Sequence, residues 1–173
     1  AQQLMSKLDS LFGDDDDYIE AIVNKRCSNL KRFLNAHEGA GRGVNEGDEV
    51  SSYEQALKEV KAGGKVTHWI WYIFPQLAVL GHSHNAKFYG LSGYDEAEAY
   101  LNHPVLGCRL REITQALLQH KELTAEEILG GIDAMKVKSC MTLFAEVSPA
   151  DIFDEVLKVF YNGSYDKLTL DLM

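Results

Sequence analysis

Two distant stretches hold residues whose types and spacing suit ligand chemistry. The first is His68-Trp69-Ile70-Trp71-Tyr72-Ile73-Phe74-Pro75-Gln76, in which polar His68 and Gln76 flank an aromatic block. Large aromatics ordinarily belong to a core. An imidazole or amide at their edge must reach water or a partner, because an unpaired buried polar group costs about 1–3 kcal/mol. A few polar groups beside an apolar wall are also how a pocket orients a ligand. The second stretch is Asp133-Ala134-Met135-Lys136-Val137-Lys138-Ser139-Cys140-Met141-Thr142. It reads as a helix start that Asp133 can cap, with Lys136 and Lys138 in the first turn and a half. The helix dipole disfavours cations there, so the pair asks for a negative neighbour, either a protein carboxylate or a phosphate.

Smaller signals accompany these. Arg109 lies one turn before Ile113 and is placed to meet a buried carboxylate or an anion. His82-Ser83-His84 puts two imidazoles two residues apart. Neither a His-Glu-x-x-His helix nor paired Cys and His spacing supports them, so no metal site is expected. Gly41-Arg42-Gly43 has no preceding strand and no following Gly-Lys-Ser/Thr, so it reads as a surface insertion. Ser139 and Cys140 have no evident activating base, which argues against a nucleophile at either.

The elements that must position these groups read as helices. The chain has 173 residues, 46% hydrophobic, 25% charged and 10% aromatic, the make-up of a single globular domain. Its formal net charge of −9 argues against nucleic-acid binding, which relies on basic charge. Three widely spaced cysteines, Cys27, Cys108 and Cys140, suit a reducing compartment, and residues 1–5 show no start of a signal peptide. A cytoplasmic protein is therefore expected. Trp69 to Leu80 is too short to span a bilayer as a helix and reads as core.

Residues 1–17 read as an N-terminal extension ending in the acidic linker Asp14-Asp15-Asp16-Asp17, and 18–173 as one helical domain with a glycine-rich insertion at 39–52. Apolar stripes occur at Tyr18, Ile19, Ile22 and Val23, and at Leu30, Phe33 and Leu34 after Ser28. Tyr53, Ala56, Leu57 and Val60 make a further stripe, closed by Gly63-Gly64. Residues 66–74 suit strand or buried helix, and we favour helix. Ser92 and Thr124 look like capping-box starts, Pro104 a first helical residue, and Ser148-Pro149-Ala150-Asp151 a cap followed by an N1 proline. Six to eight helices and no run of alternating strands predict a mainly α fold, a single compact multi-helix domain.

The ordered motifs His68 to Leu77, Gly81-His82-Ser83, Tyr100 to Gly107 with Arg109-Leu110, and Lys136 to Phe144 together resemble the family known as domain of unknown function 1810. The resemblance runs from about Leu30 to the C-terminus and implies a mostly helical domain with no assigned activity. Bacterial members carry the label calpastatin, whose inhibitory segments are disordered, unlike this well-capped chain. A weaker similarity of Tyr53-Glu54-Gln55-Ala56-Leu57-Lys58 is to a Glu-containing helix of NADAR-type proteins, which handle ADP-ribose-linked N-glycosidic bonds. If the protein is an enzyme, hydrolysis or exchange at an N-glycosidic bond is the expected reaction, with Glu54 or Asp133 as acid/base candidates. The expected ligand is small, anionic and nucleotide-like. His68, Trp69, Trp71, Gln76, Ser83, Arg109, Lys136, Lys138 and Ser139 are the expected binding residues, with no cofactor and no metal. The competing expectation is a non-catalytic protein-interaction module that engages a basic partner through the acidic N-terminal arm and the glycine-rich insertion.

Overall fold

The structure is a computed structural model that describes residues 30–39 and 51–173. Residues 1–17, the stripe at 18–23, Cys27, Ser28 and most of the 39–52 insertion with Gly41-Arg42-Gly43 lie outside the described residues. Backbone packing divides the chain into units Ala1–Lys31 and Arg32–Met173. The second unit is a mainly α, compact multi-helix domain.

Helical backbone over residues 30–37 (α1) is followed by α2 (Tyr53–Lys61), α3 (Ile70–Ile73), a 3-10 turn (Ala78–Leu80), α4 (His84–Phe88) and α5 (Tyr94–Asn102). Then come α6 (Leu106–Leu118), α7 (Ala125–Leu129), α8 (Gly131–Val147), α9 (Ile152–Phe160) and α10 (Lys167–Leu172). These ten α-helices of the described residues exceed the expected six to eight. The surplus is short: α3, α4 and α10 have only four to six residues, too few to show a helical period. The described residues hold no strand, only an isolated parallel bridge between Leu77 and Leu91.

Helix α8 is the hub. It packs on α3, α5, α7, α9 and α10. Val137, Cys140, Met141, Leu143 and Phe144 along it are wholly buried, so it is apolar around much of its circumference rather than along one stripe. Helix α6 packs on α2, α5 and α9. No helix of the described residues is long and apolar enough to cross a membrane.

Several helix starts differ from expectation. The Ser92 backbone N–H donates to Glu96 Oε1 at 3.2 Å, while Gly93 stands at the N-cap of α5. Pro104 lies in the turn before α6, where His103 Nδ1 accepts the N–H groups of Val105 (3.1 Å) and Leu106 (3.2 Å). Ser148 ends α8, and Asp151 caps α9 by accepting the Ile152 N–H at 2.7 Å. Asp133 does not cap α8. Gly130, at φ +85°, ends α7 and opens α8 directly, which leaves Asp133 as the third helical residue. Thr124 and Glu127 do form the expected capping box.

Candidate functional site

The C-terminus of α2 builds the first part of the site. Gly63, at φ +82°, and Gly64 close α2 in a Schellman turn, with Gly64 N–H on Glu59 O (3.1 Å) and Gly63 N–H on Val60 O (3.0 Å). That reversal carries residues 65–69 back past the Glu59 side chain. The buried Glu59 carboxylate accepts the N–H groups of Val66 (2.6 Å) and Thr67 (2.7 Å), the Thr67 hydroxyl (2.6 Å), the Gln55 amide (2.9 Å) and the Trp69 indole N–H (3.1 Å). Burial alone would raise its pKa, but the hydrogen bonds from Thr67, Val66 and Gln55 outweigh burial and hold it down at about 2. This also corrects the helix favoured over 66–74. The N–H groups of residues 66 and 67 belong to Glu59, and only Ile70–Ile73 is helical.

An ion-pair rail ties this turn to α8. Lys65 Nζ, nearly inaccessible, lies 2.8 Å from Asp133 Oδ2 and donates to the Thr67 carbonyl at 2.8 Å. Lys136 Nζ stands further off, 3.8 Å from Asp133 Oδ1. Each lysine also covers a tryptophan: Lys65 sits 5.0 Å from the Trp69 ring centre and Lys136 5.5 Å from that of Trp71. The expected two-lysine helix start is corrected: α8 begins at Gly131, so Lys136 is its sixth residue and Lys138 its eighth, beyond the first turn where the dipole acts, and Asp133 is the carboxylate that Lys136 meets.

Beyond the rail, α8, the 76–80 segment and the start of α10 enclose a groove of about 400 Å³. Gln76 and Leu80 line it from one side, and Asp166 and Leu168 from another. Ile132, Met135, Lys136, Lys138 and Ser139 line it from α8. Asp166 caps α10 through Oδ2, which accepts from Ser139 Oγ at 3.0 Å, from the Thr169 N–H at 3.2 Å and from the Thr169 hydroxyl. Lys138 is half-buried, and among the described residues no carboxylate pairs with it.

Of the expected site residues, Gln76, Lys136, Lys138 and Ser139 meet at this groove. Trp71 joins its edge through Lys136, its indole N–H buried without a hydrogen-bond partner. Trp69 is fully buried and His68 exposed, and neither lines the groove. Ser83 caps α4, accepting the Ala86 N–H at 3.1 Å. Glu54 borders a separate depression of about 600 Å³ along α2, so it and Asp133 share no cavity.

Arg109 belongs to another cluster. It lies 5.1 Å over the Tyr53 ring and donates to His37 Nδ1 at 3.2 Å, while His37 Nε2–H donates to the Tyr72 carbonyl at 2.8 Å. Burial, with the Arg109 charge adding to it, lowers the His37 pKa to about 4 and keeps the ring neutral. Tyr53 donates to Glu112, and burial together with that bond raises its phenol pKa. The described residues hold no group of three or more His, Cys, Asp or Glu suited to a metal. Burial also pushes the Cys140 thiol up, so it stays protonated.

Glu59, Lys65, Asp166 and the aliphatic lining were not singled out from sequence. The only advance signal was Gly63-Gly64, which marks a reversal beside Glu59.

These coordinates define a mainly α protein with a buried carboxylate hub, an ion-pair rail and a lysine-bearing apolar groove. The chain belongs to the protein family of unknown function DUF1810, whose model matches residues 27–173. The conserved hypothetical protein Rv1873 from Mycobacterium tuberculosis, known from a crystal structure, is similar at 40% identity with a TM-score of 0.74. That match covers 84% of this chain and 96% of that one. No curated protein matches the chain.

Proposed function

We propose that the groove along α8 binds a small organic anion, with Lys138 as its charge anchor. One observation carries this reading. Lys65 and Lys136 share Asp133, whereas Lys138, half-buried in the same region, has no carboxylate partner among the described residues. An ammonium group that has lost part of its hydration gains from an incoming anion, through a charge-assisted hydrogen bond. The Gln76 amide, which also lines the groove, supplies an orienting donor. A nucleotide-like ligand of the ADP-ribose type is the form suggested by the NADAR-type similarity.

Binding without catalysis is the better-supported half of that expectation. Asp133 is engaged by two lysines and Glu54 borders a different depression, so neither expected acid/base candidate lines the groove. A cytoplasmic setting belongs to the same proposal, supported by Cys108 and Cys140 standing as free thiols.

Calorimetry and thermal shift with ADP-ribose, AMP, pyrophosphate and octanoate test the reading, in the wild type and in Lys138→Gln and Lys138→Arg. The expected result is heat and a raised Tm with at least one anion, at least tenfold weaker binding in Lys138→Gln, and recovery in Lys138→Arg. No response at millimolar ligand, or equal binding by Lys138→Gln, overturns it.

A further inference from the structure

We infer that the anion this groove takes is amphiphilic, an aliphatic chain ending in a single carboxylate, rather than a stacked nucleotide. The inference rests on the anion-site reading and narrows its ligand class. The lining argues first. Leu80, Ile132, Met135 and Leu168 present only aliphatic or thioether surface, and no aromatic ring lines the groove among the described residues. Both tryptophans that a nucleobase would stack on are committed elsewhere. Trp69 is 0% exposed, and Lys136 lies over the Trp71 ring. A base entering the groove would exchange aqueous hydrogen bonds for alkyl neighbours, whereas a methylene chain loses nothing there and gains burial.

Exposure says where the chain lies. Ile132 is 75% exposed, Met135 72% and Leu168 55%, a cluster of open apolar groups along one lined groove rather than scattered singly. At about 100° per residue, Ile132, Met135 and Ser139 share one face of α8, and Lys136 and Lys138 flank it on opposite sides. A chain laid along that face brings its terminus to one flank.

Charge says what the terminus is. Lys136, Lys138 and Asp166 line the groove with one net positive charge. Lys136 is already drawn towards Asp133, and Asp166 keeps its negative charge while its Oδ2 accepts from Ser139 and Thr169. The lining therefore balances one negative charge, at Lys138, and Asp166 repels a second. That favours a monocarboxylate over a pyrophosphate.

The test is calorimetric titration of the full chain with octanoate, 1-octanol, acetate and AMP, repeated in Lys138→Gln and in Met135→Glu, which places a charge on an exposed part of the floor. The expected order is octanoate at least tenfold tighter than each of the other three probes. Each substitution should weaken octanoate at least tenfold, with unchanged far-UV circular dichroism. Octanoate binding no tighter than octanol or AMP, or indifferent to Met135→Glu, overturns the inference. AMP binding that Lys138→Gln abolishes, without octanoate binding, overturns the aliphatic ligand but leaves the anion site standing. No binding by any anion overturns both.

Discussion

The buried carboxylate of Glu59 accepts the indole N–H of Trp69 at 3.1 Å, and through that bond the end of α2 fixes the approach to α3. The same carboxylate takes two backbone N–H groups and two side-chain donors. Glu59→Gln replaces one acceptor oxygen by a donor facing donors. It should cost about 3 kcal/mol, since hydrogen bonds to charged groups contribute about 1.5–3 kcal/mol each and buried donors would be left unmet. Urea unfolding checks this; a loss below about 0.5 kcal/mol would mean the hub is dispensable.

Asp133 is predicted to be a structural partner of Lys65. Asp133→Asn strands a nearly buried ammonium and should lose about 3 kcal/mol, whereas Lys136→Ala, at the longer contact, should lose less than about 1 kcal/mol. The double variant Lys65→Met with Asp133→Leu should recover much of the loss, because an apolar pair needs no charge partner. Thermal and urea unfolding of the three variants measure it. Equal losses for Asp133→Asn and Lys136→Ala contradict the rail.

Acid should weaken the fold in two windows. His37 has a pKa of about 4 when folded against 6.5 as a free side chain, so between these values the unfolded chain binds more protons. Stability is full above pH 6.5 and falls on the order of 3 kcal/mol as pH drops to about 4. Glu59 is shifted from 4.5 to about 2, and its contribution is lost as pH falls through that lower window. Urea midpoints across pH test both. His37→Gln should flatten the upper window and Glu59→Gln the lower; an unchanged slope in either variant assigns the titration elsewhere.

Much of the helical scaffold was legible because long amphipathic runs and the Thr124–Glu127 capping box depend on neighbours three or four residues away. Where a distant group took over a local role, legibility failed. Residues 66–69 carry β-branched and aromatic side chains that suit helix or strand, and neither forms where Glu59 claims the Val66 and Thr67 N–H groups and the Trp69 indole. Misreading that segment also hid Glu59, which in isolation looks like a solvent-facing glutamate on α2. Pro104 fits an N1 position, but the helix begins two residues later at Leu106, where the preceding His103 ring accepts the Val105 and Leu106 N–H groups. Lys136 and Lys138 stood out as cations against the helix dipole. Gln76 stood out as an amide beside an aromatic block. Asp166 and Leu168 gave no such signal, because α10 has only six residues. Trp69 was read as a binding residue from its type and neighbours, and its full burial is not written in residue type.

The most direct test of the anion site is amide chemical-shift mapping of isotopically labelled protein titrated with octanoate and, separately, with AMP. The account predicts saturable shifts from at least one of them, centred on Gln76, Lys138, Ser139 and Leu168 and lost in Lys138→Gln. Shifts centred instead on Glu54 and Lys58 along α2, or on Arg109 and His37, would contradict it, as would a spectrum that neither compound moves.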